Sequence, residues 1–243
     1  MKKCVYFAAD GEIFPDRPCL ELGFGFTAGG NWRQRQAPRG EVLAVDDRFP
    51  PNPAGLREAL RFLRDWSGPI LWDLERPPHP AFAALLRQVD PARSVVPPAW
   101  RELPHGAVLV GPYLPGRSFP RWLAAQKARY GAVVLDGGPI RHRCAPGRPP
   151  LPWGGPLPEK GGLCAGAVCL CGRQAGAFFF WDSRETLLRR CEAAEVPSVI
   201  LGPEWAAIPL RCASQALPLC DLSRKDPGPP FPHFFEKTLD NLE

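Results

Sequence analysis

A chain of 243 residues, 45% hydrophobic and 23% charged, has enough apolar surface for one substantial core and is too apolar to stay disordered. Its net charge of +5 is carried mostly by arginine and is scattered, Arg141-His142-Arg143 being the densest spot, which excludes the concentrated basic face of a nucleic-acid binder. No stretch approaches the roughly 20 apolar residues of a membrane span. The apolar run after Lys2 and Lys3 is shorter than the roughly 7–15 residues of a signal-peptide core. The expectation is a cytoplasmic chain with neither a membrane nor a nucleic acid as partner. Nine cysteines, an odd number without an export signal, read as free thiols. Their one cluster, Cys164-x4-Cys169-x-Cys171, has no histidine at ligand spacing, so no metal and no cofactor are expected.

In chain order, residues 4–9, 19–26 and 41–45 are strand-like apolar runs. Leu56, Leu60, Leu63 and Trp66 then make a stripe that predicts a helix over 54–66. The run 69–74 follows, then a second helical stripe in 80–90 on Phe82, Leu85, Leu86 and Val89. Short runs at 93–96 and 107–110 precede a third helix over 118–130, on Phe119, Trp122, Leu123 and Tyr130. After the run 132–135 comes the Gly/Pro-rich stretch at about 137–173, which reads as a long loop placed to fold over one end of the molecule. The chain closes its pattern with a run at 177–181, a helix over 183–195 opened by the capping box Asp182-Ser-Arg-Glu185, and a run at 198–201.

Strands apolar on both faces, alternating with amphipathic helices, predict an α/β fold with parallel strands. Eight or nine strands in a chain this short favour a single-domain, irregular (β/α)8 barrel of the TIM type over residues 1–225. Several connections are too short to hold a helix. Residues 226–243 read as a C-terminal arm.

In such a barrel, function gathers at the C-terminal ends of the strands. The residues just past each run are Asp10, Thr27 or Asn31, Asp46 and Asp47, Asp73 and Glu75, Trp100, Tyr113, Asp136, Asp182, and Glu204 with Trp205. Asp73 and Glu75 are spaced two apart, which puts both carboxylates on one face of a strand with Leu71 below them and Trp72 and Leu74 opposite. Paired acids in a poorly solvated site raise each other's pKa, which suits a general acid held protonated near neutral pH. Acids beside flat aromatic faces fit carbohydrate chemistry, in which rings stack on sugars and acids act at the glycosidic bond. Gly23-Phe-Gly25 with Asp47 downstream imitates a dinucleotide fingerprint, but the residues between carry no helical stripe. Asp136-Gly-Gly138 reads as a turn or as a backbone cradle for phosphate. No Gly-x-Ser-x-Gly run supports acyl transfer.

The segments Val-Leu-Ala-Val-Asp-Asp47 and Pro-Ile-Leu-Trp-Asp-Leu-Glu75, with Trp-Asp182-Ser and Gly-Pro-Glu-Trp205 downstream, resemble the chitinase-like family-18 glycoside hydrolases. Of the family's Asp-x-x-Asp-x-Asp-x-Glu run the chain carries the last two acids, with Gly68 and Leu71 at the earlier positions. The resemblance implies an N-acetylated glycan as ligand and substrate-assisted acid catalysis. By that match Glu75 protonates the leaving oxygen, Asp73 orients the acetamido group that acts as internal nucleophile, and Tyr113 steadies the intermediate. Asp46, Asp47, Trp100, Asp136, Glu204 and Trp205 would line the sugar site, with Trp205 as its platform. Loss of the inner acids keeps a second expectation open, a catalytically inactive carbohydrate-binding barrel.

Overall fold

The computed structural model describes residues 1–9, 17–33, 38–115, 118–146 and 148–201. The arm expected at 226–243 lies outside the described residues. The chain runs through β1 (Val5–Ala9), β2 (Cys19–Phe26), β3 (Trp32–Arg33), β4 (Val42–Asp46), α1 (Pro53–Asp65), β5 (Ile70–Asp73) and α2 (Pro80–Leu86). It continues through β6 (Ser94–Val96), β7 (Ala107–Val110), α3 (Phe119–Tyr130) and β8 (Val133–Asp136). Then come β9 (Arg141–Cys144), β10 (Leu151–Pro152), β11 (Gly162–Cys164), β12 (Cys169–Gln174), β13 (Ala177–Trp181), α4 (Arg184–Ala193) and β14 (Ser198–Ile200).

Parallel strands β1, β2, β4, β5, β6, β7, β8 and β14 lie side by side in that order. The last returns to the first through Val5↔Ser198, Tyr6↔Val199 and Phe7↔Ile200, which closes an α/β barrel of the (β/α)8 type. Alternation of side chains sorts each strand into two cores. Tyr6, Leu20, Val42, Ala44, Leu71, Val95, Val134 and Val199 pack together inside the barrel. Phe7, Leu43, Val45, Ile70, Trp72, Val108, Leu135 and Ile200 face out and are covered by Ala59 and Leu63 of α1, Phe82 and Leu86 of α2, Phe119 and Leu123 of α3, and Leu187 and Cys191 of α4. Each large side chain so buried contributes about 1.5–3 kcal/mol relative to leaving it in water. Among the described residues no helix is long and apolar enough to cross a membrane.

The barrel is irregular, as its short connections require. Helices fill the connections β4–β5, β5–β6 and β7–β8, and α4 precedes β14. Between β2 and β4 the chain instead makes β3, antiparallel to β2, and between β6 and β7 it makes one 3-10 turn at Pro98–Trp100. The capping box of α4 sits one residue later than the sequence suggests. Ser183 is the N-cap, its hydroxyl accepting from the Thr186 backbone N–H at 3.2 Å, while the Thr186 hydroxyl accepts from Ser183 N–H at 3.0 Å.

The Gly/Pro-rich stretch is more than a loop. Strands β9 to β13 form an antiparallel sheet in the order β10-β9-β13-β12-β11, inserted between the seventh and eighth barrel strands. The apolar run 177–181 belongs to that sheet as β13, not to the barrel, and both its faces find cover. Phe180 joins the main core, and Phe179 meets the Trp153 ring edge-on at 5.6 Å.

Helix α1 is docked at its first turn onto the β2–β3 turn. Asn52 caps it by accepting from Gly55 N–H at 2.7 Å and donates to the Gly29 carbonyl at 2.8 Å. A Cβ on Gly55 would stand 2.1 Å from the Gly30 carbonyl oxygen, a backbone atom that cannot step aside. Gly55→Ala is therefore expected to destabilise the fold by about 1–3 kcal/mol, as overpacking does, read as a lower midpoint in chemical denaturation. An unchanged midpoint would refute the close approach of these two segments.

Candidate active site at the barrel mouth

Because all the barrel strands are parallel, their C-terminal ends open on one mouth. The inward alternation continues one step beyond the apolar lumen into acids: Val42, Ala44, Asp46 on β4; Leu71, Asp73 on β5; Val134, Asp136 on β8. Asp46 and Asp73 are register partners on neighbouring strands. Glu75 lies two residues past the end of β5, where the Leu74 N–H turns back to the Trp72 carbonyl at 3.0 Å; it is exposed, and its charge acts on Asp73.

Asp73 is the electrostatic hub. Burial first, then the negative charges of Glu75, Asp46, Asp47 and Asp136, push its pKa up from 3.8 to about 6. Asp136 is raised as well, chiefly by burial, against the hydrogen bond from Gly138 N–H and the charge of Arg190. Its Oδ1 accepts that N–H at 2.9 Å, so Asp136-Gly-Gly138 is a turn whose backbone donor is used by its own aspartate. Asp46 is paired with the Arg33 guanidinium of β3, whose Nε also donates to the Gly23 carbonyl at 3.2 Å. Gly25 has φ +149°, and a Cβ there would lie 2.8 Å from Asp46 Oδ1, so the glycines that imitate a dinucleotide fingerprint instead let β2 pass Asp46.

The remaining expected site residues divide between support and core. Asp47 is buried and points away from the lumen. Its carboxylate accepts from Glu75 N–H at 3.3 Å and Arg76 N–H at 2.9 Å, which fixes the loop that presents Glu75. Trp100 is 1% exposed and donates Nε1–H to the Arg76 carbonyl at 3.2 Å. It is therefore an anchor of the same loop, with no ring face free for a sugar. Tyr113 is 2% exposed, packed against Phe119 at 5.2 Å and Trp122 at 5.3 Å between ring centroids. Burial first, then the neighbouring Cys169 and Cys164 of the inserted sheet, push its hydroxyl pKa up, against the charge of Arg190. Asp10, Glu204 and Trp205 lie outside the described residues.

One group at the mouth escaped the sequence reading. Arg190 of α4 is 1% exposed and forms a bidentate pair with the fully buried Asp182, Nη1 to Oδ1 and Nη2 to Oδ2 both at 2.7 Å. The same carboxylate accepts from Ile140 N–H at 2.7 Å and the Thr186 hydroxyl at 3.1 Å, while Arg190 Nη2 reaches the Gly138 carbonyl at 3.1 Å. The turn that carries Asp136 is thereby tied to α4. Its signal was present: Arg190 lies three residues after Leu187 and four before Ala194, on the buried stripe of the helix. Among the described residues no group of histidine, cysteine or acid side chains could hold a metal ion. Comparison with family models, with curated proteins and with solved structures gives no match.

Two measurements follow from this geometry. The raised pKa means that the folded state holds the Asp73 proton more tightly than the unfolded chain does. The associated stability is complete below about pH 4 and is lost as pH rises through about 6. Asp73→Asn, always neutral, is expected to be more stable than the parent above pH 6, with the gap closing toward pH 4, in thermal unfolding across that range. A gap independent of pH would remove the shift. Separately, Arg190→Met leaves Asp182 charged, buried and unpaired, which costs about 3–5 kcal/mol. The double variant Asp182→Leu/Arg190→Met should recover much of that loss in denaturant titrations.

Proposed function

We propose that the barrel mouth binds an N-acetylated glycan and cleaves it by substrate-assisted acid catalysis. The observation that carries this reading is Asp73, an acid poised near pH 6 at the end of the fourth barrel strand with Glu75 two residues on. Glu75 stands in solvent on a loop held at two backbone N–H groups by Asp47 and at the Arg76 carbonyl by Trp100, and on this reading it is the acid that protonates the leaving oxygen. As the acetamido oxygen attacks the anomeric carbon, positive charge develops on the acetamido group. An ionised Asp73 beside it would accept the amide N–H and offset that charge. A carboxyl poised between its two forms suits both the neutral and the charged state of that group.

A second reading has its own support. Glu75 is exposed rather than enclosed with its partner, and Tyr113 is buried against Phe119 and Trp122. Both features favour a barrel that binds such a glycan without turning it over.

The test uses oligomers of N-acetylglucosamine. Glu75→Gln is expected to lower turnover by about 10²–10⁴-fold with binding retained, since the amide keeps its shape but has no acidic proton. Asp73→Asn is expected to lose turnover too. Saturable binding by the parent with no turnover selects the binding protein. Absence of both binding and turnover across N-acetylated glycans rejects the two readings together.

A further inference from the structure

The inserted sheet places three cysteines on one of its faces. In the β11–β12 pair Cys164 lies opposite Cys169 and Gly162 opposite Cys171, so the period of two turns Cys164, Cys169 and Cys171 the same way. Cys164 closes β11 at a tight turn in which Val168 adopts φ 51° and donates its N–H to the Cys164 carbonyl at 2.8 Å. The Cys164 sulfur receives the Cys171 thiol and the backbone N–H groups of Ala167 and Gly166. These donors favour thiolate over thiol and outweigh the opposing effect of burial, so the Cys164 pKa lies below the ordinary thiol range. Cys169 is 0% exposed, and burial pushes its thiol up. Cys171 is half-buried and in contact with Cys164.

We infer that Cys164 and Cys171 form a thiol site for hydrogen peroxide, Cys164 being oxidised first and Cys171 closing a disulfide with it. Cys164 as a residue is 9% exposed and Cys171 beside it is half-buried, an opening that suits a molecule as small as peroxide better than a bulky disulfide such as oxidised glutathione. The thiolate attacks one peroxide oxygen and the O–O bond breaks. Cys164 becomes a sulfenic acid, and the hydroxide released takes a proton to become water. The Cys171 sulfur then attacks the Cys164 sulfur, the S–O bond breaks, and hydroxide leaves with the Cys171 proton as a second water. Two thiols are oxidised by two electrons and one peroxide is reduced to two waters. Cys169 is the poorer resolving group because its thiol is fully enclosed and held protonated. Diagonal cross-strand residues lie about 7–8 Å apart at Cα, beyond the usual upper limit of about 6.8 Å for a disulfide. Closing the bond therefore draws β11 and β12 together beside the turn whose Gly166 carbonyl accepts the Phe119 N–H of α3 at 2.7 Å.

The experiment treats the reduced full chain with hydrogen peroxide and maps its cysteine peptides by tandem mass spectrometry. The expected result is a Cys164–Cys171 cross-link lighter by two hydrogens. With Cys171→Ser, oxidation should stop at a sulfenic acid on Cys164 that dimedone traps. Cys164→Ser should leave Cys171 reduced. Oxidised glutathione under the same conditions should leave Cys164 unmodified. A parent chain in which Cys164 stays reduced while other cysteines oxidise would overturn the proposal, as would a bond from Cys164 to Cys169. Because the parent alone decides those outcomes, a folding defect in either variant does not rescue it.

Discussion

The barrel is closed by hydrogen bonds, but its lumen is closed by side chains. Tyr6, Leu20, Val42, Ala44, Leu71, Val95, Val134 and Val199 fill it, and no water-exposed charge fits at that level. The next inward position on each strand is the first that can reach solvent, and on β4, β5 and β8 it is an aspartate. The clustering of acids at the mouth is thus a consequence of packing below it. Strand alternation fixes which residues face in, the apolar lumen fixes where charge can begin, and closure brings together strands that are far apart in sequence.

Gathering acids in this way raises a difficulty that the surroundings address unequally. Asp46 has Arg33, and Asp136 has its own turn and the field of Arg190. Asp73 is buried first and then crowded by four negative neighbours, so it carries the strain of the cluster as a raised pKa. The supporting residues are placed where they stiffen this arrangement. Asp47 and Trp100 hold the segment after β5, and the Asp182–Arg190 pair holds the segment after β8 to α4. A buried pair of that kind adds little stability over apolar residues of the same volume. Its value here lies in fixing the position of the Asp136 turn.

Much of the barrel was legible because parallel strands covered on both faces leave an unambiguous trace of short apolar runs between helical stripes. The same trace misled at 177–181. That segment is also covered on both faces, once by the main core and once by Trp153, and a local pattern cannot tell one cover from another. Strands β9 to β12 escaped because Arg141-His-Arg-Cys144 and the glycines and prolines after it show no apolar alternation. At the mouth, the alignment of Asp46, Asp73 and Asp136 follows from alternation alone. Trp100 and Tyr113 do not, since an aromatic residue beyond a strand end reads the same whether the backbone turns it into a cleft or into the core. Arg33 pairs with Asp46 only because β3 folds back on β2, a contact that no periodicity announces.

Pairing of Val5 with Ser198 has a consequence for the order of assembly. No local contact can close the barrel, and β1 emerges from the ribosome long before its partner. At about 5–20 residues per second, synthesis of the intervening chain takes on the order of 10–40 s. Throughout that interval β1 lacks its partner, and once β8 has been made its edge also stays open, with backbone donors and acceptors unpaired, until β14 appears. Such non-local pairing makes for slow closure, and the nascent chain is most exposed to intermolecular strand pairing just before its eighth barrel strand appears.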